Sequence, residues 1–409
     1  MKTLALSEGN WTIRDQSVAS ATPPFSDFVT ALDILRIFLA LGFAVAIYGF
    51  DWLSVAPNRL LPGVGVSALD AFGPVTHGLV AAILVVAFTP RRFRLMPSQM
   101  DLLVCFCGSC LLLALLPVIT GHAASGIMSG KPPATRVALG GGFWLGYGIV
   151  FLAFLDSSHR LKRYWITILG VSSIAMILAL AVTGGWLDHL SLAVEWQLRR
   201  AVLYDALMQH LRLSFSVVLI AFCISLPLGW LSFRYVRAAA LLDALFGLIQ
   251  VTPAIALFGI LIPLLAVLLR VLPALRDVGF AAIGVFPAIV GISAYLTLPL
   301  MRGVASGLRN ADSAVLESAR AMGLGEWRTL WDVRLPLGRP VFVAALRVAV
   351  VQGISLVTLG GLIGAGGLGA IVFEGMGQFA PDLILLGALP VIALGLIADR
   401  LFALFEGAL

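Results

Sequence analysis

Charge is scarce in this chain: Asp, Glu, Lys and Arg supply 12% of its 409 residues, against 60% hydrophobic, and the mean hydropathy is +1.03. A soluble fold cannot hide that much apolar surface in one core, so the composition excludes an ordinary globular enzyme and points to a polytopic membrane protein. The net charge of +6 is grouped between apolar runs and forms no basic stripe with interleaved aromatics, which excludes a nucleic-acid surface. Cysteine is sparse as well. Cys105, Cys107, Cys110 and Cys223 all lie inside apolar runs, where thiols behave as small hydrophobes, so neither a disulfide framework nor a metal site is expected. His77, His122, His159, His189 and His210 are scattered and fit no catalytic spacing. A nucleotide motif is missing too: Gly364, Gly366 and Gly369 match the letter of a dinucleotide fingerprint but follow a span instead of a strand, and Pro132 stands where a phosphate loop needs Ser or Thr. The first 25 residues lack the apolar core and cleavage site of a secretory signal.

Long apolar runs are abundant. A hydrocarbon layer about 30 Å thick needs about 20 such residues in a helix, and continuous runs suit helices, not a barrel. Candidate spans are 32–50, 70–89, 101–120, 137–156, 164–184, 211–233, 243–269, 278–300, 339–361 and 383–404. The expected fold class is all-α, a helical membrane protein of about ten transmembrane helices. Basic residues alternate between the loops: Arg91, Arg92 and Arg94; Arg160, Lys162 and Arg163; Arg234 and Arg237; then Arg302 to Arg339. The positive-inside rule places these loops, and both termini, in the cytoplasm. The expected organisation is a cytoplasmic tail over 1–31, a five-helix membrane region over 32–185, an interfacial or linker helix over 186–210 and a second membrane region over 211–409. No repeat relates the halves, so an inverted-repeat carrier is not suggested.

One polar segment interrupts the second half. Asp312 to Pro340 reads as two short helices, the first N-capped by Asp312 and closed at Gly323, the second running from Glu326 to Val333 and stopped by Leu335-Pro336. Trp327, Leu330, Trp331 and Arg334 share one face of the second by helical spacing. Such a helix can rest at the headgroups or serve as a docking surface.

Glu317-Ser318-Ala319, then Gly323, then Leu335-Pro336 resembles the EAA loop of ABC importer permeases, with Ser318 in place of the middle Ala. Gln250-Val251-Thr252-Pro253-Ala254-Ile255-Ala256-Leu257 is similar to the QTxPSLALL stretch of the glycine betaine, carnitine and choline permeases, and Thr358-Leu359 with Gly364 to Gly369 resembles their ATL and GAGGLG segment. The likeness covers roughly residues 205 to 405; the N-terminal spans lie outside it, as in a subgroup of osmoprotectant permeases. The resemblance implies a type I importer permease core whose loop over 302–338 is the ATPase-coupling element, with Trp327, Arg328 and Trp331 beside the motif residues. It also implies a cytoplasmic ATPase dimer that carries the ATP and magnesium, a second permease subunit, identical or paralogous, an extracytoplasmic substrate-binding protein and a bacterial inner membrane. This chain itself would bind no cofactor and catalyse no reaction. Rival readings are a permease for another small solute, such as methionine or taurine, a secondary carrier without an ATPase, and a separate sensor or assembly role for residues 1 to 185.

Polar residues inside the spans are the candidate pathway lining: Gln250, Thr252, Tyr295, Thr297, Arg347, Gln352, Ser355 and Thr358 can hydrogen-bond a passing zwitterion, or equally join helices. Arg347 has a third option, snorkelling to the cytoplasm. Gly364, Gly366, Gly367 and Gly369 permit close packing or a tight re-entrant turn that could gate the path.

Overall fold

The computed structural model describes residues 5–7, 10–12, 25–59, 61–89, 98–277 and 279–408, with side chains from residue 34 to residue 406 within those ranges. Arg91, Arg92 and Arg94, and most of the expected tail over 1–31, lie outside the described residues. The chain divides into two compact units, Met1–Leu190 and Ser191–Leu409.

The first unit opens with a short hairpin of β1 (Ala5–Ser7) and β2 (Asn10–Thr12), followed by α1 (Phe25–Gly49). Then come β3 (Leu53–Ala56), β4 (Val64–Val66), α2 (Ala68–Ala71), α3 (Pro74–Phe88), α4 (Ser98–Met128), β5 (Arg136–Leu139), α5 (Gly141–Leu161) and α6 (Tyr164–Thr183). Strands β4, β3 and β5 pair antiparallel in that order, a small sheet within a fold expected to be helical throughout. The start of the span expected at 137–156 is therefore a strand. Short runs such as Leu53–Ala56 and Arg136–Leu139 are β-compatible but too brief to register against the long apolar periodicity around them. Trp52 anchors this corner. It is wholly buried, packs edge-on against Phe72 and Phe143 at 5.6 Å each, and its indole N–H donates to Thr120 Oγ1 at 3.0 Å. Arg36 and Asp101 form a buried ion pair at 2.7 Å that joins α1 to α4.

The second unit begins with α7 (Ser191–Arg234), one unbroken helix of 44 residues. The linker helix expected at 186–210 and the span expected at 211–233 are thus a single element. Its buried positions, Leu203, Ala206, His210, Leu213, Val217 and Ala221, keep helical spacing straight through the expected boundary, so nothing breaks the helix there. Next are α8 (Val236–Val251) and α9 (Ala254–Val271), which replace the one span expected at 243–269. Pro253 causes the break: it pushes Thr252 to an extended ψ of 128° and opens α9 as its N-cap. Then follow α10 (Ala274–Asp277), α11 (Val285–Arg309), α12 (Ser313–Ala321), α13 (Glu326–Arg328), a π turn over Thr329–Arg334, α14 (Leu335–Gly360), α15 (Gly367–Gly377) and α16 (Pro381–Ala408).

Among the described residues seven helices are long and apolar enough to cross a membrane. Within the second unit α11 is the centre: 61% of its apolar stretch is buried, against 17–28% for the other spans of that unit, whose remaining apolar faces suit contact with lipid. It packs between α7 and α14. Small residues allow the approach, since a Cβ on Gly229 would lie 2.5 Å from that of Val304, and one on Gly303 2.2 Å from that of Ala345. Gly307 completes a GxxxG pair with Gly303 and leaves room for the Phe342 ring.

Candidate functional site

The polar segment forms an elbow beside the ends of α7 and α11, where Arg234 lies 3.7 Å from Glu326 and Arg309 reaches Ser232 O. Asp312 caps α12, its carboxylate accepting the Ala314 N–H at 3.0 Å. At the other end Gly323, with φ +75°, closes the helix: its N–H donates to Arg320 O at 2.9 Å and the Leu324 N–H donates to Ala319 O at 3.0 Å. That paired geometry is the Schellman motif, which needs a residue free to adopt the left-handed region. Glu317 and Ser318 are exposed while Ala319 is buried, so α12 shows its polar face outward.

The second half of the elbow departs from expectation. Leu335-Pro336 does not stop the helix; α13 runs through the π turn directly into α14. The Leu335 N–H donates to Leu330 O, five residues back, and this wider turn lets Pro336 enter as the first turn of α14, where its missing N–H costs little. The second half of the elbow and the span are consequently one rod. Trp327 and Trp331 touch edge-to-face at 5.7 Å and are 68% and 54% exposed, an unusual display of aromatic surface, with Arg328 exposed beside them.

Two side chains bind the elbow to the end of α11, and a third joins the ends of α11 and α7 beside it. Arg334 Nη1 donates to Leu308 O at 2.7 Å, with its guanidinium 5.0 Å above the Phe233 ring. Asn310 Nδ2 donates to Leu337 O at 2.8 Å, and Arg309 Nη2 to Ser232 O at 2.7 Å. Sequence reasoning missed Arg309 and Asn310, because their partners are backbone carbonyls that carry no residue signature.

A second locus lies around the glycine turn between α14 and α15. Gly364, Gly366 and Gly367 have φ of +81°, +78° and +69°, conformations closed to most side chains. Gln209 on α7 holds the turn: its Nε2 donates to Ala365 O and its Oε1 accepts the Gly367 N–H, each at 3.0 Å. His210 is wholly buried with Nε2 3.0 Å from Ile354 O, which requires the proton on Nε2. Gly369 meets the backbone of Thr358 so closely that a Cβ would fall 2.0 Å from Thr358 O. Gln209 and His210 were absent from the candidates; two adjacent polar residues within an apolar stretch of helix were the available signal.

The pathway candidates do not form one surface. The Tyr295 hydroxyl donates to Thr252 O, and Thr252 Oγ1 donates to Leu248 O at 2.9 Å, so these two stabilise the α8–α9 break. Gln250 lies half-buried just before it. Thr297 is wholly buried, donates to Ser293 O at 2.8 Å, and through its own carbonyl receives the Ser225 hydroxyl. It joins α7 to α11, which removes it from the set of pathway-facing groups. Arg347 is likewise taken: Asp399 holds it at 2.6 Å and Glu406 at 2.7 Å, an ion-paired brace between α14 and α16. Gln352 and Ser355 remain exposed on one stripe of α14, and the Thr358 hydroxyl is buried without a partner among the described residues. No group of three or more His, Cys, Asp or Glu among the described residues could hold a metal ion.

The comparisons with known proteins follow the same division of the chain. Residues 33–193 match the family described as "ABC transporter permease YehY, N-terminal domain". Residues 221–409 match "Binding-protein-dependent transport system inner membrane component". The carnitine transport permease protein OpuCB of Listeria monocytogenes is 34% identical over 191 residues, 47% of this chain and 80% of that protein. The glycine betaine/carnitine/choline transport system permease protein OpuCB of Bacillus subtilis (strain 168) is 30% identical over 198 residues, 48% of this chain and 84% of that one. A chain of the inward-facing MetNI methionine ABC transporter aligns at 24% identity with a TM-score of 0.40, over 49% of this chain and 94% of that chain. The capped elbow, the apolar spans that carry it and identity of this extent along four-fifths of a transport permease leave one conclusion: the chain belongs to the binding-protein-dependent transport system inner-membrane component family and is a multi-pass membrane permease of the ABC transporter class.

Proposed function

We propose that this chain is the permease subunit of an ATP-driven importer for glycine betaine, choline and carnitine-type osmoprotectants, handed over by an extracytoplasmic binding protein. The transport systems named for its relatives support the substrate class. The observation that carries the mechanism is the elbow: a Schellman-closed α12, followed after a short turn by α13 that runs on into α14, and bound to the end of α11 through Leu308 O and Leu337 O. A rod with those attachments converts a push on the exposed Arg328 side of the elbow into a tilt of α14, and α14 moves α11 through the Gly303 and Gly307 contacts. ATP binding would draw two cytoplasmic ATPases together, shift the elbows of two permease subunits as rigid bodies and turn the spans outward; hydrolysis would reset them. No bond chemistry falls to this chain. Gln352 and Ser355 on α14 and the glycine turn over Gly364–Gly369 are the groups this motion would present to a passing zwitterion.

The test has two arms. Cells carrying the complete operon should take up labelled glycine betaine and choline, and a strain lacking this chain should not; uptake of neither removes the substrate class. Crosslinkers placed at Glu317 or Arg328 should reach an ATPase subunit in the purified complex. Transport that persists without any ATPase and stops with uncouplers would replace this reading with a proton-coupled carrier.

A further inference from the structure

Three rows of side chains at i, i+4 spacing enclose a cleft of about 590 Å³ in the second unit, within the usual range of about 300–1,000 Å³ for small-molecule sites. On α7 the row is Phe222, Leu226, Trp230; α11 contributes Val304 and the elbow Trp327 and Trp331. The apolar walls merge into a second, polar recess of about 280 Å³ that shares Trp230, Trp327 and Leu330 with the cleft and contains Arg234, Arg320 and Arg334 against the single acid Glu326. The α7 row ends on Arg234 at the same spacing, so hydrocarbon and positive charge lie on one stripe. From residue 222 to residue 234 that stripe runs roughly 18 Å at 1.5 Å per residue, close to half of a hydrocarbon layer about 30 Å thick.

An apolar slot one leaflet deep that opens onto an excess of arginine has the polarity of a single amphiphile. We infer that the cleft binds an anionic phospholipid of the cytoplasmic leaflet, its acyl chain along Phe222, Leu226 and Val304 and its phosphate at Arg234 and Arg320. Tryptophan at Trp230 and Trp327 then sits at the depth of the glycerol backbone, where indole rings prefer to lie. Because the walls include both α7 and the elbow, an occupied cleft stiffens the hinge between them, and the lipid becomes a modulator of coupling. The inference rests on the cytoplasmic placement of the elbow and not on the solute carried.

The experiment uses the full chain in nanodiscs with lipids brominated on the acyl chain, which quench tryptophan on contact. Brominated phosphatidylglycerol should quench the Trp230, Trp327 and Trp331 component more strongly than brominated phosphatidylcholine at equal mole fraction, and Trp327→Phe with Trp331→Phe should remove most of that difference. The double variant Arg234→Gln, Arg320→Gln should weaken the anionic preference by about fivefold per arginine while quenching by phosphatidylcholine stays unchanged. Equal quenching by the two lipids, or a preference untouched by the double variant, overturns the inference. So does quenching that disappears on assembly with the ATPase or a second permease copy, since a protein would then cover the cleft. Lipid retained by the intact chain and by the double variant, counted by native mass spectrometry, decides the matter if the variant inserts poorly: equal retention of phosphatidylglycerol also overturns it.

Discussion

Gln209 holds the Gly367 amide: the side-chain Oε1 accepts the Gly367 N–H at 3.0 Å while Nε2 donates to Ala365 O at the same distance. One side chain on α7 thereby serves as both acceptor and donor for a turn that no side-chain-bearing residue could easily form. Gln209→Leu leaves the Gly367 N–H and Ala365 O without these bonds, at a cost of about 1–3 kcal/mol for a buried unsatisfied group. A lower thermal midpoint in detergent and lost uptake are expected, with Gln209→Glu intermediate because it keeps the acceptor. Unchanged midpoints for both variants would show that the turn is held elsewhere.

Gly323 stands in open space at φ +75°. A substitution there meets no neighbour, so its effect comes from the backbone alone, about 1–2 kcal/mol for an L-residue in the left-handed region. Asn tolerates that region better than a β-branched residue does. Gly323→Val should therefore uncouple ATP hydrolysis from substrate-loaded binding protein in proteoliposomes, and Gly323→Asn should do so far less. Equal activity in the two variants would sink the argument.

Arg334 fixes the elbow to the end of α11 through Leu308 O. Arg334→Gln shortens the reach and removes the charge, a loss of roughly 1.5 kcal/mol for one charge-assisted hydrogen bond. Transport should fall about tenfold, the factor that such an energy represents, while the ATPase still co-purifies. Loss of the ATPase instead would place Arg334 in the docking contact and not in transmission.

Arg36 and Asp101 are buried together in the first unit, at 5% and 1% side-chain exposure. Removing one partner deprives Arg36 of its carboxylate in a buried setting, so Asp101→Leu should destabilise by about 3–5 kcal/mol. Adding Arg36→Met should recover most of it, because two apolar side chains need no desolvation. Protease resistance of the N-terminal half of the full chain reads both effects; additive losses would contradict the pairing.

Helix caps were readable from the order of residues because they are local. Asp312 before a helical run and Gly323 after it carry their geometry in their own chemistry, and the structure places both as caps. The sequence also carried the warning at Thr252-Pro253, since proline restricts the residue before it, though the continuous hydrophobicity around it suggested one span. Pro336 misled in the opposite direction. Its effect depends on whether the preceding turn is α or π, and the bond from Leu335 to Leu330 that makes it π is not written in residue type.

Composition and periodicity alone settled that this is a helical membrane protein with a polar elbow in its second half, because the hydrophobic effect and the cost of unpaired backbone in lipid act on every residue regardless of its partners. Which polar groups face inward needed the fold. Thr297 and Arg347 looked equivalent to Gln352 and Ser355 until helix packing placed the first inside the α7–α11 contact and gave the second two carboxylates 52 and 59 positions away. Partners so distant along the chain meet only when α14 and α16 pack together, and no local pattern can encode that meeting.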